Sequence, residues 1–120
     1  HYLAPALFTD VSPQAAAARD EIFGPIAAVL RVPDYDAALA TANDCEFGLS
    51  AGIVTRDVTK IDHFSQNAEA GMIQVNLPTA GMDFHAPFTG RKGSSYGAPE
   101  KGSYCREFFT AAKVVHAGRG

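Results

Sequence analysis

The stretch Leu49-Ser50-Ala51-Gly52-Ile53-Val54-Thr55, the helix signal that starts at Asp57, and the run Gly71-Met72-Ile73-Gln74-Val75-Asn76 together decide the fold. Residues 49–55 are a short apolar run of strand length. Asp57 is a capping residue, and the apolar positions after it, Ile61, Phe64 and Ala68, recur at helical spacing. Gly71 stops that helix. Residues 72–76 then read as a second strand. Two strands joined through a helix run parallel, because the crossover returns the chain to the same end of the sheet.

Upstream, the same grammar repeats. Ile26 to Val32 reads as a mostly buried strand, and Pro33-Asp34 ends it. Asp34 can cap a helix over 35–43, where Tyr35, Leu39 and Ala42 share a face. Residues 2–8 read as an edge strand around Pro5, which cannot donate to a ladder. Ser12-Pro13 opens a short helix over 15–19. Strand, helix, strand, helix, strand predicts an α/β fold: a partial parallel sheet with crossover helices packed on it.

Downstream the pattern breaks. Residues 77–103 carry Gly81, Gly90, Gly93, Gly97 and Gly102 with Pro78, Pro87 and Pro99, and read as a long loop. Loops of that length in a compact domain usually serve a function. Residues 104–109 look helical, and the alternation over about 109–115 predicts a terminal strand.

Composition excludes several classes. The net charge is −3, and Arg91-Lys92 is the only adjacent pair of cations, so there is no nucleic-acid stripe. No apolar run approaches the roughly 18 residues of a membrane span. Cys45 and Cys105 lie far apart and read as free thiols of a reducing cytoplasm. His1, His63, His85 and His116 lack metal-ligand spacing, so no metal is expected. His1 is followed directly by a strand-like run without a leader pattern, and the chain is expected to begin mid-protein.

Two places suggest chemistry. In Asp20-Glu21-Ile22-Phe23-Gly24-Pro25, an extended backbone would put Glu21 and Phe23 on one side. A carboxylate can accept from a ribose diol, and an aromatic face can pack on a flat heterocycle. The plainer account is an exposed glutamate beside a buried phenylalanine. Asn76-Leu77-Pro78-Thr79 leaves the end of a strand, where ligands gather in parallel sheets. Phe84, His85 and Phe88 follow. They either line a pocket or anchor the loop. The segment 91–97 can cradle an anion or be a plain glycine loop. There is no Gly-x-Gly-x-x-Gly or Walker-type phosphate loop.

These motifs, in order, resemble the aldehyde dehydrogenase superfamily. Glu21-Ile22-Phe23-Gly24-Pro25 is similar to its E-x-F-G-P cofactor motif. Ala42-Asn43-Asp44 with Phe47-Gly48-Leu49, and Thr55-Arg56-Asp57, are similar to its A-N…G-L and T-x-D patterns. Residues 70–76 resemble its glycine-to-asparagine strand, and Pro87-Phe88-Thr89-Gly90-Arg91-Lys92 its P-F-G-G-x-K loop. Thr89 departs from the usual glycine, and Pro99 stands where an arginine is common, which puts the packing of this loop in question. The run 76–97 looks most like the branch that oxidises α-ketoglutarate semialdehyde (2,5-dioxovalerate).

The resemblance implies roles. Glu21 and Phe23 would contact the nicotinamide half of NAD or NADP. Phe84 and Phe88 would line a tunnel for a small aldehyde, with Asn76 closing the strand beneath. Residues 1–107 would be the C-terminal portion of the catalytic domain. Residues 108–120 would be an oligomerisation strand and tail, joining a dimer or tetramer. In that family a cysteine thiolate attacks the aldehyde, a hydride leaves to NAD(P), and a glutamate activates water. Neither Cys45 nor Cys105 has the Gly-Gln-x-Cys-like context of that nucleophile, so no catalytic residue is assigned, and the 120 residues alone are expected to be inactive. The alternative is a non-enzymatic oligomerisation module derived from such an enzyme.

Overall fold

Two helices are fixed at their N-termini by aspartates, as their sequences predict. In the computed structural model, which describes residues 1–120, α2 spans Tyr35–Asn43 and α3 spans Val58–Asn67. Asp34 accepts from the Ala37 amide at 2.8 Å, and Asp57 accepts from those of Thr59 and Lys60 at 3.0 and 3.3 Å. Each cap satisfies amides that have no partner within the helix.

Strands β4 (Ser50–Ile53) and β5 (Met72–Val75) flank α3 and pair in parallel, Ser50 opposite Met72 and Ile53 opposite Val75. This is the crossover unit that residues 49–76 predict. Its core is Leu39 from α2 with Phe64 and Ala68, and Tyr35, Ala51, Ile53 and Ile73 pack against it. Alternation along the strands puts Ala51, Ile53 and Ile73 on the helix side. Ser50, Gly52 and Gln74 therefore face the other way.

A second parallel pair, β1 (Ala6–Phe8) with β2 (Ile26–Ala28), flanks α1 (Ala16–Arg19). Here the N-cap position is Ala15, which offers no side-chain cap, while the Ser12 hydroxyl accepts only from the Gln14 amide at 3.3 Å. A short antiparallel pair, β3 (Phe47–Gly48) with β6 (Arg91–Lys92), brings the glycine loop back to the end of α2. The turn Gly102–Tyr104 leads into α4 (Cys105–Phe109).

The architecture is α/β, with two corrections. The parallel strands form two separate pairs rather than one sheet, and β2 ends at Ala28 instead of Val32. No strand pairs with both β2 and β4 to join the pairs. The terminal strand expected over about 109–115 is absent, and residues 110–120 run exposed without regular structure. Alternation supplies a face, but a strand also needs a neighbour to take its N–H and C=O groups, and none is at hand.

The chain is spread out. Its accessible surface is 9593 Å², against about 6,200 Å² for a compact protein of this mass. Its radius of gyration is 19.4 Å, where about 14 Å is usual for this length. Leu7, Phe8, Phe109, Val114 and Val115 are among the exposed apolar side chains.

Candidate functional site

Glu21 lies in the segment between α1 and β2 and borders a concavity of about 470 Å³. That volume is within the roughly 300–1,000 Å³ of small-molecule sites. The other walls include the end of α2 at Asn43, Cys45 just beyond it, residues 47–51, Glu69, and Gly93 with Ser94.

Close backbone approach shapes these walls. A Cβ on Gly48 would sit 2.3 Å from the Glu69 carbonyl oxygen, so only glycine fits. The Gly48 amide donates to Ser94 Oγ at 2.9 Å, and the Gly93 amide donates to the Glu46 carbonyl at 2.9 Å. A Cβ on Gly71 would sit 2.3 Å from the Thr89 carbonyl oxygen, so the chain at Thr89-Gly90 lies against β5.

Lys92 ties the walls together. Its ammonium is 2.6 Å from Glu69 Oε2 and donates to the carbonyls of Asn43 and Cys45 at 2.6 and 3.0 Å. A cation there satisfies the carbonyl end of α2 and its dipole. The hydrogen bond and charge of Lys92 hold the Glu69 carboxyl below its usual range. Asn43 Nδ2 donates to the Asn67 carbonyl and Asn43 Oδ1 accepts from the Glu69 backbone amide, both at 2.9 Å, joining the C-terminal ends of α2 and α3. Residues 91–97 thus turn Lys92 onto their own chain, which supports the plain reading of that loop. Nothing in the sequence marks Lys92 and Asn43 as a hub. An asparagine at a helix end signals only capping, and its partner is 49 residues away.

Phe23 takes a left-handed backbone, φ 56°, and the residue is 94% exposed. The extended geometry expected to align it with Glu21 does not hold, and neither does a buried Phe23. A bulky residue with positive φ costs about 1–2 kcal/mol, and such strain gathers at functional sites. Phe84 is exposed and stacks on the His85 ring with centroids 3.8 Å apart, while His85 Nδ1 is 3.1 Å from Asp83 Oδ1. Phe88 is half-buried, its backbone bridged to Glu100, with Lys101 Nζ 4.9 Å from its ring. That bridge holds the loop despite Thr89 and Pro99. Neither Phe84 nor Phe88 borders the Glu21 concavity.

Cys45 is half-buried beside the concavity, its thiol donating to the Phe47 carbonyl at 3.0 Å, and Cys105 is exposed. No group of three His, Cys, Asp or Glu is arranged to hold a metal ion. No helix is long and apolar enough to cross a membrane.

The sequence pattern of the Aldehyde dehydrogenase family matches residues 1–115. The α-ketoglutarate semialdehyde dehydrogenase of Haloferax volcanii is 44% identical over 97% of this chain, which covers 24% of that enzyme. The α-ketoglutaric semialdehyde dehydrogenase of Bacillus subtilis is 40% identical over 96% of this chain, again covering 24% of the relative. The chain thus spans about a quarter of the length of these curated relatives. The Mycobacterium tuberculosis aldehyde dehydrogenase, solved in complex with NAD+, superposes with a TM-score of 0.80 at 34% identity, over 88% of this chain and 21% of that one. Motif order, fold and relatives agree, and the chain belongs to the aldehyde dehydrogenase family.

Proposed function

We propose that the chain is a C-terminal segment, residues 1–107 catalytic-domain and 108–120 tail, of an NAD(P)-dependent enzyme that oxidises α-ketoglutarate semialdehyde to the dicarboxylate. The observation that carries this is Glu21 on the rim of a ligand-sized concavity, in a motif that also holds a strained, exposed Phe23. A carboxylate there suits a ribose diol, and the free ring suits the nicotinamide face. The fit is to the nicotinamide half alone, since the chain has no glycine-rich phosphate loop. NAD(P), when bound, supplies the hydride acceptor. Phe84 and Phe88 line the aldehyde's path, on the loop that leaves the end of β5.

The excess surface supports a larger enzyme, whose remaining sequence covers β1, β2 and the concavity and brings the nucleophilic cysteine and the general-base glutamate. The chain alone is then inactive. The exposed tail becomes a strand on the sheet of a neighbouring subunit, in a cytoplasmic homo-oligomer.

A chimera tests the reading: the matching quarter of the Haloferax volcanii relative is replaced by this chain. It should oxidise α-ketoglutarate semialdehyde in preference to betaine aldehyde. In it, Glu21→Gln should slow single-turnover hydride transfer about tenfold or more, the usual scale for losing hydrogen bonds to a charged group. Unchanged single-turnover rates would remove Glu21 from the cofactor site. Turnover by the 120-residue chain alone would overturn the absence of a nucleophile.

A further inference from the structure

The segment that leaves β5 folds back over the sheet face opposite the helices. At Asn76 the backbone turns left-handed, φ 54°, after its amide has donated to the Ile53 carbonyl at 2.8 Å. The main chain then departs, but the ladder continues. Asn76 Oδ1 accepts from the Thr55 amide at 2.9 Å, and Asn76 Nδ2 donates to the Thr55 carbonyl at 3.0 Å. The side-chain amide stands in for the next peptide group of β5, satisfying both backbone groups of Thr55.

Three residues further on, the loop touches β4. Ser50 Oγ donates to the Thr79 carbonyl at 3.2 Å. Gly52 leaves room for the Thr79 side chain, since a Cβ there would lie 3.1 Å from Thr79 Cγ2. Gln74 Nε2 meets the Met82 sulfur from β5. Ser50, Gly52 and Gln74 share the face that α2 and α3 do not cover.

We infer that Asn76, Ser50 and Gly52 are positioning residues that latch the loop 77–88, and with it Phe84 and Phe88, over the β4–β5 pair, and so set how the aldehyde is held. The part that concerns the aldehyde rests on the proposed function; the latch itself does not. Asn76 ends the strand without leaving Thr55 unpaired, so the loop can turn back at once. Ser50 and Gly52 then fix the return path, one by a hydrogen bond and one by having no side chain.

The test separates the two parts. In the 120-residue chain, amide exchange at Thr55 is compared between wild type, Asn76→Gly and Asn76→Asp. Glycine takes the left-handed backbone freely but removes the clasp, whereas aspartate keeps the acceptor alone. Exchange at Thr55 should rise about tenfold or more with glycine and less with aspartate. Wild-type protection in Asn76→Gly would overturn the latch, as would an unprotected Thr55 in the wild type. In the chimera, Asn76→Gly should raise KM for the aldehyde about fivefold or more, while kcat and the NAD(P) KM stay within about twofold. Loss of Thr55 protection with an unmoved aldehyde KM would end the positioning role. A chimera that oxidises no aldehyde, with the Thr55 pattern intact, would instead count against the proposed function and leave the latch standing.

Discussion

Residues 50–75 and residues 6–28 are both strand–helix–strand units with parallel pairing, yet only the first makes a core. Its helix α3 has ten residues, an aspartate cap and a buried face of Phe64 followed by Ala68. The helix α1 has four residues, no side-chain cap and no buried residue, and β1 is exposed along its length. Only one of the two units is self-sufficient. The first unit closes its apolar face with α2. The second offers its face outward, and it carries Glu21 and Phe23 next to the uncovered surface.

Phe64→Ala should separate the two regions most sharply. Phe64 is 6% exposed, and truncating a buried phenylalanine costs about 3–5 kcal/mol. The matched change Phe23→Ala should move stability by less than about 0.5 kcal/mol. Urea unfolding followed by far-UV circular dichroism reads both, and equal effects would mean that the core is not confined to the first unit. Gly71→Ala comes next. The new Cβ would meet the Thr89 carbonyl and Gly90 Cα at 2.3 and 2.7 Å, at a cost of about 1–3 kcal/mol. Proteolysis should quicken at 88–95 in that variant, because β5 and the loop move apart.

The smallest effect is expected at the edge of the first region. Lys92→Met removes the cation from the end of α2 and from Glu69. The folded-state pKa of Glu69 is depressed by its bond to Lys92, so this stabilisation is present above the ordinary value of 4.5 and is lost as pH falls through the lower folded value. The wild type should therefore lose stability more steeply than Lys92→Met as pH drops below that range. Parallel pH profiles would show that the pair contributes nothing.

The local grammar of the sequence reads best where one segment settles its own needs. The helix over 35–43 lies where its period and Asp34 put it, and the helix after Asp57 does likewise. Reading fails where partners are distant. Nothing near Phe47 or Arg91 announces the antiparallel pair they enter, or the bridge from Phe88 to Glu100. The tail alternates like a strand and lacks a neighbour. At the site, Glu21 borders a concavity, but the side-by-side geometry with Phe23 depended on an extended backbone that the turn before Gly24-Pro25 removes. A backbone sign change at one residue leaves no trace in apolar periodicity.

Phe23 has a consequence for directed evolution. Its left-handed backbone is strained for an aromatic and ordinary for glycine, and its exposed ring adds nothing to the core. A library screened for thermal tolerance alone should enrich glycine at position 23. The same library screened for turnover in the chimera should keep the aromatic, so at this codon the two selections pull against each other.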